Sequence, residues 1–200
     1  MDTEPVTKPE NKPPESKPLP VLTYPNPKLR LTAKPVGEID DKLRSFIGDL
    51  TATMQRHNGA SIAATQVGAD LRIVVLDGSS CDATEPMVFI NPEIVSMSED
   101  THIDREGCLS FPECWAMVAR SLTCKVRAKN LQGEMFEVDC SGLFSRSIQH
   151  ELDHLNGKLM IDLVGPMKQR MLKAKMTKFN RVMTKRMVQV MKSTPRPGRK

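Results

Sequence analysis

Gln149-His150-Glu151-Leu152-Asp153-His154 contains His-Glu-x-x-His within a run of helical patterning. At 3.6 residues per turn, His150 and His154 lie about 40° apart on adjacent turns, so both imidazoles share one face. Two imidazoles in that relation can hold one metal ion. Glu151 is displaced by about 100° from His150, so it is free to handle the proton of a water rather than to ligate. The plain alternative is a helix that displays two histidines and no ion. Only four His occur in the 200 residues, and two of them fall here, which favours the metal.

The flanks of this stretch are helical too. Ser141-Gly142 is placed to cap the segment, Phe144, Ile148, Leu152 and Leu155 form its apolar side, and Gly157 ends it. A catalytic site of this kind takes three protein ligands and keeps one position for water. No His follows His154, and Asp162 is the only acid beyond the helix. The search for a third ligand therefore turns upstream, to Cys108 in Glu106-Gly107-Cys108-Leu109-Ser110.

Further upstream, Asp40 reads as an N-cap, followed by Leu43, Phe46, Ile47, Leu50 and Met54 at helical spacing and a stop at Asn58-Gly59. The run 59–68 is crowded with small residues and reads as a tight loop whose backbone another group can approach. Gln66 is its only long polar side chain; the amide is suited to donate to a developing oxyanion, or is merely exposed. Residues 71–77, 87–91, 93–97, 115–120, 123–128 and 135–138 read as strands, with Pro92 splitting the second from the third. No helix separates them, so the sheet is expected to be antiparallel. Residues 159–163 read as a short extended piece. A last helix carries the stripe Leu172, Met176, Phe179, Met183, Met187, Val190, expected to dock on the body.

Composition bounds the rest. With 39% hydrophobic and 26% charged residues the chain is an ordinary globular one, and no apolar run approaches the ~18 residues of a membrane span. No apolar N-terminal region marks a secretory signal. The five Cys (81, 108, 114, 124, 140) form no CxxC pair, which argues for a reducing compartment. Residues 166–200 hold 12 Lys or Arg and no acid, whereas residues 1–165 hold 17 basic and 24 acidic residues. An acidic body with a basic tail calls for an anionic partner, nucleic acid before membrane, or else the tail is a solvated helix. Residues 1–20 contain six Pro and almost nothing apolar, and are expected to be disordered. The expected layout is this extension, a catalytic domain over 21–165, a basic helix over 166–192 and a flexible tail over 193–200. The expected class is α+β: mainly antiparallel sheets around a central helix carrying HExxH, with an N-terminal and a C-terminal helix.

Three blocks now stand in order, residues 59–66, 106–110 and 149–154. Together they closely resemble peptide deformylase, over about residues 21–183. The resemblance implies Cys108, His150 and His154 as metal ligands, Glu151 as general acid/base, and Gln66 with the backbone N–H of Leu109 as oxyanion donors. It implies Fe²⁺, one per chain, with Ni²⁺, Co²⁺ or Zn²⁺ able to substitute. Substrate contacts are expected at Gly59, Ser61, Ile62, Gly107, Leu143 and Arg146. Of these, Ile62 and Leu143 serve as walls for a methionine side chain. Arg146, like Arg120, holds peptide backbone or carboxylate, or else a structural ion pair. Ser61 replaces the second glycine of the family's first block, and Met160 stands where Phe is frequent. The activity implied is removal of the N-formyl group from N-terminal methionine of nascent peptides, with the basic helix on ribosomal RNA. The chain is expected to act as a monomer in a bacterial cytoplasm, or in an organelle of bacterial origin. Two rivals remain: an HExxH metalloendopeptidase, and a ribosome- or RNA-binding module with a structural metal closed by Cys114 or Asp162.

Overall fold

The structure, a computed structural model, describes residues 16–81 and 83–193. The disorder expected over 1–20 lies outside the described residues as far as residue 15, and the frayed tail does so from residue 194. Residues 16–20 lie against the first helix, α1 (Asp41–Arg56): the Lys17 N–H donates to Asp49 Oδ1 and the Leu19 N–H to Thr53 Oγ1, both at 2.7 Å. These contacts lie ahead of the expected domain start at Val21. Asp40 caps α1 through its carboxylate, which accepts from the Leu43 N–H at 2.8 Å. Past its end, Asn58 takes the left-handed conformation (φ 50°).

Five strands form the main sheet: β1 (Ser61–Ala63), β2 (Ile73–Leu76), β3 (Met87–Met97), and two later strands that follow a separate ribbon in the chain. That ribbon is β4 (Thr101–Gly107) with β5 (Trp115–Ser121); the later pair is β6 (Thr123–Lys129) and β7 (Met135–Ser141). The order is β1-β2-β3-β6-β7, and every pairing in both sheets is antiparallel, as expected. The class is α+β.

Four expectations are corrected. The small-residue run contributes β1, because backbone pairing with β2 decides its conformation; the turn follows only at residues 64–67. Pro92 does not split a strand. The register with β6 shifts between Ile90 and Glu93, Asn91 adopts φ 53°, and β3 absorbs the missing donor there. Asn91 also clasps the arm preceding α1, accepting from the Val36 N–H (2.7 Å) and donating to the Val36 carbonyl (2.8 Å). β4 was not expected at all, since Ile103 is its one large apolar residue. Residues 160–163 form a 3-10 turn rather than an extended piece, with Asp162 accepting from the Leu159 N–H at 2.8 Å.

The strand period of two divides the sheet into faces. Ala63, Val74, Leu76 and Phe89 pack with Phe144, Ile148, Leu152 and Leu155 of α2 (Gly142–Leu155). Ile62, Ile73, Val75 and Ile90 pack with Leu43, Ile47, Leu50 and Met54 of α1. The HExxH helix therefore lies on one face of the sheet and the N-terminal helix on the other. Ser141 occupies the N-cap position of α2, but its side chain makes no cap hydrogen bond. A third cluster joins Leu29, Phe111, Val118 and Met160 to Leu172 and Met176 of α3 (Pro166–Ser193). Docking of α3 covers only part of the expected stripe. Phe179 is half-buried, Met183 and Met187 are exposed, and the side chain of Val190 lies outside the described residues.

Gly157 closes α2 at φ 69°, and a Cβ there would stand 2.4 Å from the Arg30 carbonyl oxygen. Arg30 itself grips Asp162 and donates to the Gly157 carbonyl. Gly157→Ala is expected to cost about 2 kcal/mol or more from the strained φ and the clash, seen as a lower urea midpoint with an unchanged slope.

Candidate metal centre

Cys108 follows β4 directly. A turn closed by the Phe111 N–H on the Cys108 carbonyl (2.9 Å) aims this segment across to α2. There the Cys108 Sγ lies 3.1 Å from His154 Nε2. The ligand atoms of Cys108, His150 and His154 all lie within 4.8 Å of one another, and they are the only such donor group among the described residues. The two imidazoles, one turn apart on α2, meet edge to face with centroids 5.0 Å apart. His154 is fully buried, and burial holds it well below the usual histidine range, in the neutral form a cation needs.

His150 is oriented by a residue that had no expected role, Glu106. Glu106 Oε2 lies 3.0 Å from His150 Nδ1, which fixes that nitrogen as the proton carrier and leaves Nε2 for a ligand. Glu106 is itself buried, and it accepts from Arg120 Nε (2.9 Å) and Nη2 (3.1 Å) and from Arg146 Nη1 (2.8 Å). Burial pushes its carboxyl up, but the hydrogen bonds from His150 and Arg120 and the Arg120 charge outweigh that and bring it down to about 2. Burial opposes charge on His150, yet the adjacent Cys108 sulfur and Glu106 carboxylate raise it well above its usual range. The same negative surroundings suit a cation.

The other expected site residues fall as follows. Glu151 is buried; Ser61 Oγ donates to its Oε1 at 2.6 Å, while its Oε2 has no hydrogen-bond partner among the described groups. Burial raises the Glu151 carboxyl above the ordinary carboxylate range. Gln66 is buried rather than exposed. Its Oε1 accepts from the Ala63 N–H at 2.9 Å, which turns Nε2 toward Ser110 Oγ (3.2 Å) and the Cys108 sulfur (3.6 Å). The backbone N–H of Leu109 is the next donor along the chain after Cys108. Gly59 packs against the Leu109 side chain, so the first and second blocks touch. Gly107 has the ring of Trp115 where a Cβ would stand, at 2.5 Å. Leu143, in the first turn of α2, is exposed.

Two substrate contacts expected from the sequence are corrected. Ile62 is fully buried against α1, because alternation along β1 turns it away from α2. Arg146 is buried as well, and its guanidinium is engaged by Glu106, the Val118 carbonyl (2.9 Å) and the His102 carbonyl (2.7 Å). Arg120 likewise holds Glu106 and Asp153, the latter at 2.5 Å. Both arginines make the structural ion pairs that stood as their alternative. Glu106 was within reach of sequence reasoning, since it opens the block that carries Cys108. Its role was hidden because a carboxylate in a polar strand reads as solvated.

A thiolate and two imidazoles form a donor set for a divalent transition metal, and Glu151, next to His150 in the sequence, keeps its buried Oε2 without a hydrogen-bond partner among the described groups. The residues present fit such an ion. Glu106→Gln is expected to weaken metal retention by about 10–100-fold in competition with a chelator. It should also destabilise the fold by about 3–5 kcal/mol, since Arg146 is left buried without a counter-charge.

The sequence matches the family model described as Polypeptide deformylase over residues 18–170. It is 42% identical over 163 residues to the peptide deformylase of Acinetobacter baumannii (strain SDF), covering 82% of this chain and 92% of that one. It is 45% identical over 160 residues to that of Pseudoalteromonas translucida (strain TAC 125), covering 80% and 95%. Among solved structures, a peptide deformylase from Legionella pneumophila superposes with TM-score 0.79 at 38% identity, over 84% of this chain and 98% of the other. One from Ehrlichia chaffeensis, in complex with actinonin, gives 0.78 at 30% identity over 82% and 99%. With the match running from ahead of α1 into α3 and taking in all three blocks of the site, the chain belongs to the polypeptide deformylase family.

Proposed function

We infer that this chain hydrolyses the N-formyl group from the N-terminal methionine of newly made proteins, releasing formate. The observation that carries the reading is the cluster of Cys108, His150 and His154, with Glu151 following His150 on α2 and its buried Oε2 lacking a partner among the described groups. A divalent cation held by those three ligands acts as a Lewis acid and lowers the pKa of water toward ~7. Glu151 takes a proton from the attacking water as its oxygen bonds to the formyl carbon. The Gln66 amide and the Leu109 N–H donate to the tetrahedral oxyanion, each such donor typically contributing ~10²–10³ in rate. Glu151 then delivers the proton to the leaving nitrogen as the C–N bond breaks, giving formate and a free amine.

β1 is an edge strand, so its outer backbone groups are open to an extended peptide that adds beside it. Gly59, Ser61 and Gly107 border that approach, and Leu143 offers apolar surface for the methionine. We assign Fe²⁺ as the resident metal, because a thiolate softens the donor set, with Ni²⁺, Co²⁺ or Zn²⁺ as substitutes. The chain acts as a monomer in a bacterial cytoplasm.

The rival readings are weaker on specific grounds. An endopeptidase helix has no need of Cys108, yet the Cys108 sulfur sits among the histidine nitrogens. A closed structural site needs a fourth ligand. Cys114 instead packs beside α3, and Asp162 is held by Arg30 and the Leu159 N–H.

Anaerobically purified chain is expected to release formate from formyl-Met-Ala-Ser with one metal per chain. Glu151→Gln should keep the metal and lose at least ~10²-fold in kcat; a metal-loaded wild type without formate release refutes the assignment. The exposed basic residues of α3 are assigned to ribosomal RNA. Because Leu172 and Met176 belong to the core, charge reversal at Lys178, Arg181, Lys185 and Arg186 is a better test than deletion. That variant should keep its turnover on the small peptide and lose ribosome co-sedimentation, and wild-type binding should fall steeply with salt.

A further inference from the structure

The hydrogen bond between Ser61 and Glu151 is not required by anything argued so far, yet it reaches the residue on which proton transfer depends. Ser61 opens β1, and alternation places it with Ala63 on the α2 side of the sheet while Ile62 faces α1. Its hydroxyl is thereby brought to Glu151 Oε1 at 2.6 Å, within the range of a charge-assisted O–H···O⁻ bond. The other carboxylate oxygen, Oε2, is buried and has no partner among the described groups. The two oxygens of Glu151 are therefore not equivalent. β1 is itself held in place next to Glu151, because the Ala63 N–H donates to Gln66 Oε1 and β1 pairs with β2 from Ser61↔Leu76 to Ala63↔Val74.

We propose that Ser61 is a positioning residue for Glu151, its hydroxyl clamping Oε1 and leaving Oε2 as the oxygen that takes the proton from water and returns it to the leaving amine. A carboxylate with no donor on either oxygen can turn about its last bond, which spreads it over orientations that do not face the water. A donor on one oxygen removes that freedom before substrate arrives. Two further points follow from the same geometry. Ser61 acts on turnover rather than on binding, although it lies on the edge strand where the peptide is read. Any side chain without a donor at position 61 gives a slower enzyme with an intact metal site, since Ser61 makes no bond to Cys108, His150 or His154.

The proposal rests on the deformylase reading, and the test separates the two. Full-length wild type, Ser61→Ala, Ser61→Gly and Ser61→Thr are loaded with Ni²⁺, checked for metal content and thermal midpoint, and assayed for kcat and KM on formyl-Met-Ala-Ser. The alanine and glycine variants are expected to keep their metal and lose about tenfold in kcat with KM within twofold. Ser61→Thr, which restores the hydroxyl, should recover at least half of the wild-type kcat. In a Glu151→Gln background, followed by long incubation, Ser61→Ala should cause no further loss, because the residue it serves is gone. An unchanged kcat in Ser61→Ala overturns the proposal. So does a loss carried by KM, or a tenfold loss that persists in the Glu151→Gln background. Wild type that releases no formate refutes the deformylase reading itself, and the proposal with it.

Discussion

The buried carboxylate of Glu106 holds the centre together. Taking a carboxylate out of water costs several kcal/mol, and a single partner rarely offsets that. Here both oxygens are used twice, by Arg120, Arg146 and His150. Arg120 passes on to Asp153, and Arg146 to the carbonyls of Val118 and His102. Two acids thus face two guanidiniums, and His150 adds a hydrogen bond to the cluster from the ligand side. It also ties the β4–β5 ribbon to α2. Those two elements bring Cys108 from one side and the histidines from the other, so the spacing of the three ligands depends on how this cluster seats.

Much of this was legible in the sequence, and the parts that were not share a cause. α1 and α2 declare themselves through a 3.6-residue apolar period with stops that the backbone requires, and β2 through an uninterrupted apolar run. Their burial is one-sided or complete, so pattern follows packing. β4 is different: the one residue it buries is Glu106, and that is buried for its charge. A strand whose buried group is ionic shows no apolar alternation, so neither the strand nor the role of its glutamate stands out. β1 was hidden because three residues carry no measurable period. Once pairing with β2 sets the faces, Ile62 must look toward α1 and not toward a ligand. Pro92 was read as splitting two strands, but β3 runs through it with a register shift, a response that depends on the neighbouring strand and not on the proline alone. The same reasoning explains Arg146: its spacing on α2 is visible in sequence, but the Glu106 that meets it arrives from 40 residues away.

β1 shows how few residues suffice once pairing fixes direction. Ile62 anchors the strand into the α1 cluster, Ser61 and Ala63 face α2, and the outer backbone edge stays unpaired within the sheet. Gln66, in the turn just beyond, holds the Ala63 N–H with its oxygen and so points its nitrogen toward Cys108. One amide thereby locks the strand and orients its own donor. An amide aimed in this way pays little reorganisation when charge develops on a reacting carbonyl, which is the condition for electrostatic stabilisation to be effective.

α3 divides at about Asn180, which donates to the Tyr24 carbonyl at 2.7 Å. Before it, Leu172 and Met176 are buried with the residues around Phe111; beyond it, residues 181–189 are all exposed. That second half has no acid to pair with its cations, and Arg181 and Lys185 stand four residues apart on one face, where like charges destabilise a helix by a few tenths of a kcal/mol. It also shows Val182, Met183, Met187 and Val188 to solvent. Such a segment stays helical chiefly by continuing from an anchored first half, since nucleation is the costly step and is already complete there. An anionic partner removes the repulsion and covers apolar surface at once. Capture of such a partner by this half would therefore also stabilise it as a helix, at a place set by the anchored half.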